Sequence, residues 1–375
     1  MKFRVDRDVL ANAVSWTART LPNRPAIPVL AGIRIEATDD GSLDLTTFDY
    51  EVSARSRISA EVETPGVILV FGRLLTEISK SLPNRPVEFS YDGSKVNVTC
   101  GSSRFTLGAM QVEDYPSLPE MPEHAGSIDV DDFSKAVSQV TVAAGRDESL
   151  PLLTGVKIEI RGEQLTLLAT DRYRLALREI SWQPSSPSME RETLVRARVL
   201  TDVARSLHSG GRLELSLSQN SDIIGFESEG SRTTSTMIDG DYPPVRRLFP
   251  DQTPTHAVVN TAAMVDAVKR VSLVAERNTP IRLSFTEGQV VLEAGQGEEA
   301  QASEALESLL VGEDIETAFN PSYLLDGLGA IETDFIRFSF THGSKPVLFT
   351  GQDSLETDDH DTDFKYLLVP IRFSS

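Results

Sequence analysis

The segment VFGRLLTEISKSL (70–82) returns at an offset of 125 residues as VRARVLTDVARSL (195–207), and 125 residues further on as NPSYLLDGLGAIE (320–332). A period of this kind constrains a chain more than its composition does, because every copy has to fold as the same unit. Leu75, Leu200 and Leu325 coincide in the three copies, as do Ile78, Val203 and Leu328. Three such periods account for the whole chain of 375 residues. Other segments repeat as well. VLAGIRIEA (29–37) matches LLTGVKIEI (152–160), with TPIRLSFTE (279–287) as a fainter third copy, and VEDYPSLP (112–119) matches DGDYPPVR (239–246).

Each copy opens on an amphipathic helix. Leu10, Ala13, Val14 and Thr17 follow the i, i+3, i+4, i+7 spacing that puts a stripe on one helical face. Phe133, Ala136, Val137 and Val140 do the same, as do Met264, Ala267, Val268 and Val271. The rest alternates with period two around short polar turns, as in RIEATDDGSLDLTTF and KIEIRGEQLTLLA, the pattern of hairpins. PVEFSYDGSKVNVTC and RLELSLSQNSDIIGF repeat it later in each copy. Each module therefore reads as helix, hairpin, more strands, helix, hairpin: an α+β unit with a two-helix layer on antiparallel sheet. Proline-bearing linkers at LPEMPEHAG (118–126) and LFPDQTPTH (248–256) favour extended chain and place the domains at 1–121, 127–250 and 256–375.

Hydrophobic and charged shares of 40% and 25% are those of an ordinary globular protein. No stretch approaches the roughly 20 apolar residues of a membrane span, and MKFRVDRDVL has no apolar signal core. A single cysteine, Cys100, excludes an internal disulfide framework and fits a reducing compartment. A cytoplasmic location with no membrane partner is the expectation. The net charge of −20 argues against a nucleic-acid partner unless the cations are segregated.

A convergent reactive set is hard to find. The five histidines, His124, His208, His256, His342 and His360, have no metal-ligand spacing. GQGEEA (295–300) resembles a dinucleotide loop only superficially, since its two glutamates would repel a pyrophosphate, and it reads as an acidic hairpin or interface edge. DSLETDDHDTD (353–363) lacks calcium-loop spacing and a central glycine and reads as a solvated loop between the last two strands. No catalytic residue, cofactor or metal is expected. The cations are more regular. Arg73 and Lys80 in the second helix of the first repeat are matched by Arg198 and Arg205 in the next. Arg19, Arg24, Lys135, Arg146, Lys269, Arg270 and Arg277 add to the helix ends. If the helices of all modules faced one way they would make a positive surface on an acidic protein, and screening over about 8 Å would hide the acidic exterior from a polyanion held there.

One strand ends in a burst of charge, ATDRYRL (169–175). With RPAIPVL (24–30), LLTG (152–155), ATDRYRLAL (169–177), DYPPVRRLFP (241–250), FNPSYLLDGL (319–328) and VPIRF (369–373), the chain resembles the bacterial DNA polymerase III beta subunit family, the sliding clamps, over essentially its full length. ATDRYR and AERNTP (275–280) are most similar to actinobacterial members. The resemblance implies three similar domains per chain, closed head-to-tail with a second chain into a ring, helices lining the central hole and sheets outside. Size agrees. A 125-residue domain is about 36 Å across, so three spheres in a ring leave a gap of about 6 Å and six leave about 36 Å. Duplex DNA is about 20 Å wide. Two chains are therefore needed to encircle it.

The implied function is a non-catalytic processivity factor. It tracks duplex DNA without reading sequence and binds the replicative polymerase catalytic subunit, the clamp loader and other clamp-binding-motif proteins. The resemblance carries DNA contact to Arg24, Arg73, Arg146, Arg198 and Asn320. It carries a partner-peptide pocket to Leu153, Thr170, Arg172, Tyr173, Arg174, Leu175, Pro243, Arg247, Leu248, Ser344, Pro346, Leu368, Val369, Pro370, Ile371 and Arg372, where the apolar residues would line a trough and Arg174 and Arg247 would hold peptide carbonyls or carboxylates. Repeat one has Glu51 where repeat two has Tyr173, so one pocket per chain is expected. Ring closure is carried to SSRFTLGAM (102–110): Arg104 meets Glu298 and Glu299, and Phe105 and Leu107 pack near Leu273. Three departures stand out: Val195-Arg196 for a common Val-Pro, Arg172 for a glycine, and the extension Ser374-Ser375. Other readings stay open at this point: a second-copy clamp with an altered, inhibitor-tolerant pocket, a metal-dependent hydrolase using 353–363, and a scaffold that binds peptides only.

Overall fold

The computed structural model describes residues 1–218, 222–275, 279–295 and 300–372. Among these are six α-helices, α1 (Arg7–Thr17), α2 (Gly72–Ser81), α3 (Val130–Thr141), α4 (Ala197–Ala204), α5 (Thr261–Val271) and α6 (Pro321–Ala330). The element order is the same three times: strand, helix, a run of strands, helix, three strands. The leading strands, Lys2–Val5, His124–Asp129 and Thr255–Asn260, are an addition to the sequence pattern, which reads each module as opening on its helix. They are short and flanked by charge, so alternation is hard to see in them, and His124–Gly126 turns the end of the expected 118–126 linker into strand.

The helix stripes pack as their spacing requires. Leu10, Ala13, Val14 and Thr17 are buried in α1; Phe133, Ala136, Val137 and Val140 in α3; Met264, Ala267, Val268 and Val271 in α5. The starts are capped: Asp6 accepts hydrogen bonds from the Asp8 and Val9 amides, Asn260 from Ala263, and Asn320 from Ser322 and Tyr323. The second helices correct one alignment. Leu75 and Leu200 are fully buried, but in α6 the buried leucines are Leu324 and Leu328, while Leu325 is half-buried. The position matching Ile78 and Val203 is then Gly327. A Cβ there would lie 2.4 Å from the Tyr366 ring, so the ring occupies the space that a side chain fills in the other copies.

The strands form three antiparallel sheets, of five, nine and twelve strands. The five-stranded sheet belongs to the first repeat and ends on Ser103–Gly108 as an edge strand. In the nine-stranded sheet, Val52–Ser59 of the first repeat pairs with Ser231–Thr236 of the second, Ser53 opposite Thr234. In the twelve-stranded sheet, Arg174–Ser181 of the second repeat pairs with Phe364–Leu368 of the third, Leu175 opposite Leu367. Compactness consequently does not follow the sequence period. One compact unit comprises 1–131, 183–186 and 202–237, and the other 132–182, 187–201 and 238–375. The division runs through the middle repeat because its two groups of strands are zipped into different sheets.

The first unit has a continuous core of Phe3, Leu10, Val14, Ile35, Leu45, Leu75, Val87, Phe89, Val98, Cys100 and neighbours, and Phe3 and Phe89 stack with ring centroids 4.8 Å apart. Cys100 is buried and free. In the second unit Phe285, Phe319, Phe338, Phe340, Phe349 and Tyr366 are all fully buried. No helix among the described residues is long and apolar enough to cross a membrane.

Candidate functional site

The turn Asp171–Tyr173 ends one strand and begins the next, and its geometry is fixed by Asp171. That carboxylate accepts hydrogen bonds from the Tyr173 and Arg174 amides at 3.0 and 3.1 Å, an Asx turn. Arg172 sits at φ 81°, the left-handed region that favours glycine. This is the position at which the resemblance marks arginine in place of glycine. The first repeat builds the same turn: Asp49 accepts from Glu51 and Val52, and Tyr50 has φ 73°.

Around the turn lie two different surfaces, both within the second unit. The first is a cavity of roughly 360 Å³ lined by Gly145, Arg146, Leu150, Leu153, Asp171, Arg172, Tyr173, Arg174, Ser322, Tyr323 and Asp326, among others. Arg174 is its buried floor, 5% exposed. Its Nε donates to Asp171 at 2.9 Å and its Nη1 to Asp326 at 2.5 Å, and the guanidinium lies 4.3 Å over the Tyr323 ring. Burial alone would lower the Arg174 pKa; Tyr366, Asp326 and Asp171 outweigh it and raise it, so the cation is permanent. Tyr173, 55% exposed, stacks on Tyr323 at 6.1 Å.

The second surface is apolar. Leu168, Leu175, Leu177 and Leu367 form a buried cluster on one face of the twelve-stranded sheet, overlaid by Tyr242, Val245, Phe249 and Leu348. The Tyr242 hydroxyl accepts from the Thr170 amide at 2.9 Å, and burial pushes its phenol pKa well up. The Val369 amide donates to the Tyr173 carbonyl at 2.9 Å, which sets the exposed Val369 beside the exposed Tyr173. Thr170 closes the strand end, its hydroxyl donating to the Arg174 carbonyl at 2.6 Å.

The sixteen pocket residues read from the sequence thus separate. Leu153, Arg172, Tyr173 and Arg174 line the cavity, and Leu175 belongs to the leucine cluster. Pro243, Arg247 and Leu248 are exposed on and before the short 3₁₀ turn Val245–Leu248. Leu248 is 54% exposed, and the residue of that turn packed on the leucines is Val245, which the sequence reading did not include. Leu368 and Pro370 are buried, and Leu368 pairs with both Arg174 and Val347 in the sheet. Ile371 donates to the Ala318 carbonyl, and Arg372 is exposed. Ser344 is engaged locally with His342, and the half-buried Pro346 precedes Val347. The role expected of Arg174 also changes. With Nε and Nη1 committed to two carboxylates it is a support for the cavity, not a free ligand for peptide carboxylates; Arg247 is exposed. Tyr323 and Asp326 escaped the sequence reading because they come from α6, about 150 residues away; the signal was the match of FNPSYLLDGL itself.

Among the candidate DNA contacts, Arg24, Arg146 and Arg198 are exposed. Arg73 donates to Asn23 at 2.8 Å, which brings it next to Arg24. Arg146 lines the cavity described above. The Asn320 oxygen is occupied in capping α6, and α6 carries no Lys or Arg, so the cationic helix pattern does not extend to the third repeat's second helix. Among the candidate ring-closing residues, Arg104 is exposed and Phe105 half-buried on the edge strand Ser103–Gly108. Leu107 is 7% exposed within the first unit's core, on the same strand face as Phe105, which packs against that core as well. Leu273, by contrast, is 84% exposed. Glu298, Glu299, Arg277, Ser374 and Ser375 lie outside the described residues. Asp361 of the 353–363 loop pairs with Arg178 at 2.9 Å, and the described residues contain no group of three or more His, Cys, Asp or Glu suited to a metal ion.

Three repeated helix-plus-sheet modules, with a cavity beside a buried leucine cluster at one joint between repeats, define a three-module repeat protein of the α+β class. Comparison with known proteins gives the family. Models of the DNA polymerase III beta subunit N-terminal, central and C-terminal domains match residues 1–119, 127–244 and 246–372. The chain is 52% identical over 377 residues to the beta sliding clamp of Streptomyces coelicolor, covering 100% of both, and 56% identical over 306 residues to that of Micrococcus luteus, covering 82% of this chain and 98% of that one. The solved sliding clamp of Bacillus subtilis superimposes with a TM-score of 0.91 at 28% identity, and that of Pseudomonas aeruginosa bound to griselimycin with 0.92 at 27%, each covering 100% of both chains. The chain belongs to the DNA polymerase III beta subunit family, the beta sliding clamps. It is a non-catalytic processivity factor of DNA replication with three clamp domains, working with DNA and polymerase.

Proposed function

We propose that two copies of this chain close head-to-tail into a ring around duplex DNA in the cytoplasm, and that polymerase, clamp loader and other partners dock a short peptide segment in the groove formed by the leucine cluster and the adjoining cavity. The domains are those bounded at 1–121, 127–250 and 256–375. Arg24, Arg73, Arg146 and Arg198 contact phosphates, with Asn320 contributing its amide. Phe105 and Leu273 meet across the ring-closing interface.

The observation that carries the groove is a comparison between the two inter-repeat joints. Strand pairing puts Leu168, Leu175, Leu177 and Leu367 together at the second joint. The same register at the first joint places Thr46, Ser53, Arg55 and Thr234. There Ser53 and Thr234 are hydrogen-bonded and Arg55 pairs with Asp44 at 2.7 Å. One joint is apolar, with Tyr173, Leu248 and Val369 exposed beside its buried leucines, and the other is satisfied within itself, which supports a single groove per chain.

The test is loading onto a nicked circular duplex by a clamp loader. Wild-type chain is expected to stay on the circle and to leave when the circle is linearised. Arg24→Glu with Arg198→Glu is expected to remain a dimer but to load or stay poorly, and Leu175→Asp to lose polymerase stimulation. Retention that survives linearisation would mean the chain grips DNA without encircling it.

A further inference from the structure

We propose that Arg246 is a positioning residue for the groove, a latch that holds the Val245–Leu248 turn at working height over the leucine cluster; this rests on the groove reading above. The turn supplies one wall, with Val245 packed on the leucines and Arg247 and Leu248 facing solvent. It is four residues long and flanked by Pro243, Pro244 and Pro250, whose rings fix φ and remove amide donors, so it has few backbone ties to the sheet. Arg246 supplies the side-chain tie. Its Nη2 donates to Glu159 at 3.0 Å and to Thr166 at 3.3 Å, and its Nη1 to Glu179 at 3.1 Å. One guanidinium thus clamps the turn to three adjacent strands, those carrying Glu159, Thr166 and Glu179.

The far end of the latch is rigid. Glu159 is 6% exposed, in the middle of the sheet, and Lys157 holds it as well at 2.9 Å. Lys157 is tied in turn to Glu192 at 2.8 Å. Loss of Arg246 therefore leaves the buried carboxylate still paired. The fold keeps its satisfied polar groups while the wall of the groove loses its tether. This separation distinguishes a positioning role from a structural one, since Arg246 is itself exposed and the buried Glu159 keeps Lys157 as its partner, whereas a loosened turn has to be re-ordered each time a ligand binds.

The experiment measures binding of a fluorescein-labelled peptide, carrying the clamp-binding motif of the replicative polymerase's catalytic subunit, to the full-length wild-type chain, R246A and R246K, at low and high salt, with the melting temperature of each. R246A is expected to bind roughly three- to tenfold more weakly at low salt with an unchanged melting temperature. R246K is expected to recover part of the loss, since a lysine keeps the charge but presents it at a single nitrogen, where the guanidinium fork reaches Glu159 and Glu179 from two. The gap between wild type and R246A should narrow at high salt without closing, because screening weakens the more exposed Arg246–Glu179 tie more than the one to the buried Glu159. Equal affinities at low salt, a gap that widens at high salt, or a melting temperature that falls with the affinity would each overturn the latch. A wild-type chain that does not bind the peptide would overturn the groove reading and the latch with it.

Discussion

At the residue scale, two arginines of one short turn have opposite relations to their surroundings. Arg172 is held in a backbone conformation that costs a non-glycine residue about 1–2 kcal/mol, while a glycine gives back part of that gain through the freedom of the unfolded chain. Arg172→Gly is therefore expected to be stabilising by up to about 1 kcal/mol, seen as a higher urea midpoint at unchanged slope; a lower midpoint would show that the Arg172 side chain has a stabilising partner. Arg174 is the reverse. It is 5% exposed between Asp171 and Asp326, and removing one member of such a buried set leaves uncompensated charge, at about 3–5 kcal/mol. Arg174→Ala should lower stability by that amount, and a loss below about 1 kcal/mol would mean that water replaces the pair easily. The sequence marked both residues as unusual. It could not say that one is exposed and strained and the other buried and paired, because Asp326 reaches Arg174 only through folding.

At the element scale, the helices were the most legible part. Their apolar stripes recur at the spacing that burial demands, and the caps Asp6, Asn260 and Asn320 are local chemistry. The leading strands and the register of α6 were not, since strands of four to six residues carry little periodicity and the slot against Gly327 is filled by Tyr366 from another strand. The strand Thr255–Asn260 also carries a pH-sensitive group. His256 is 9% exposed, and burial, followed by the Arg337 cation, depresses its pKa; His360 adds to this and Asp358 opposes it. Between that depressed value and the unfolded value of about 6.5, the unfolded chain binds more protons, so stability falls with acidification through this window. Melting temperatures are expected to drop as pH is lowered below about 6.5, and His256→Gln should flatten the decline. An unaltered slope in that variant would assign the acid sensitivity elsewhere.

At the scale of the whole molecule, the proposed ring closure can be tested at Leu273, which is 84% exposed on the 3₁₀ turn Ser272–Val274. Leu273→Asp is expected to convert a dimer to a monomer in sedimentation velocity without lowering the melting temperature of the separated chain; a dimer that persists would place the interface elsewhere. By itself the sequence determined the threefold period, the class of each module and the family, because those depend on spacing and composition within short windows. The tertiary structure decided which strands of the middle repeat join which neighbour. It also decided that leucines gather at one joint while serine, threonine and a paired arginine fill the other, and that Leu107 is buried while Leu273 is bare. Sheet register is set by pairings between residues more than a hundred positions apart, and a local pattern has no term for them.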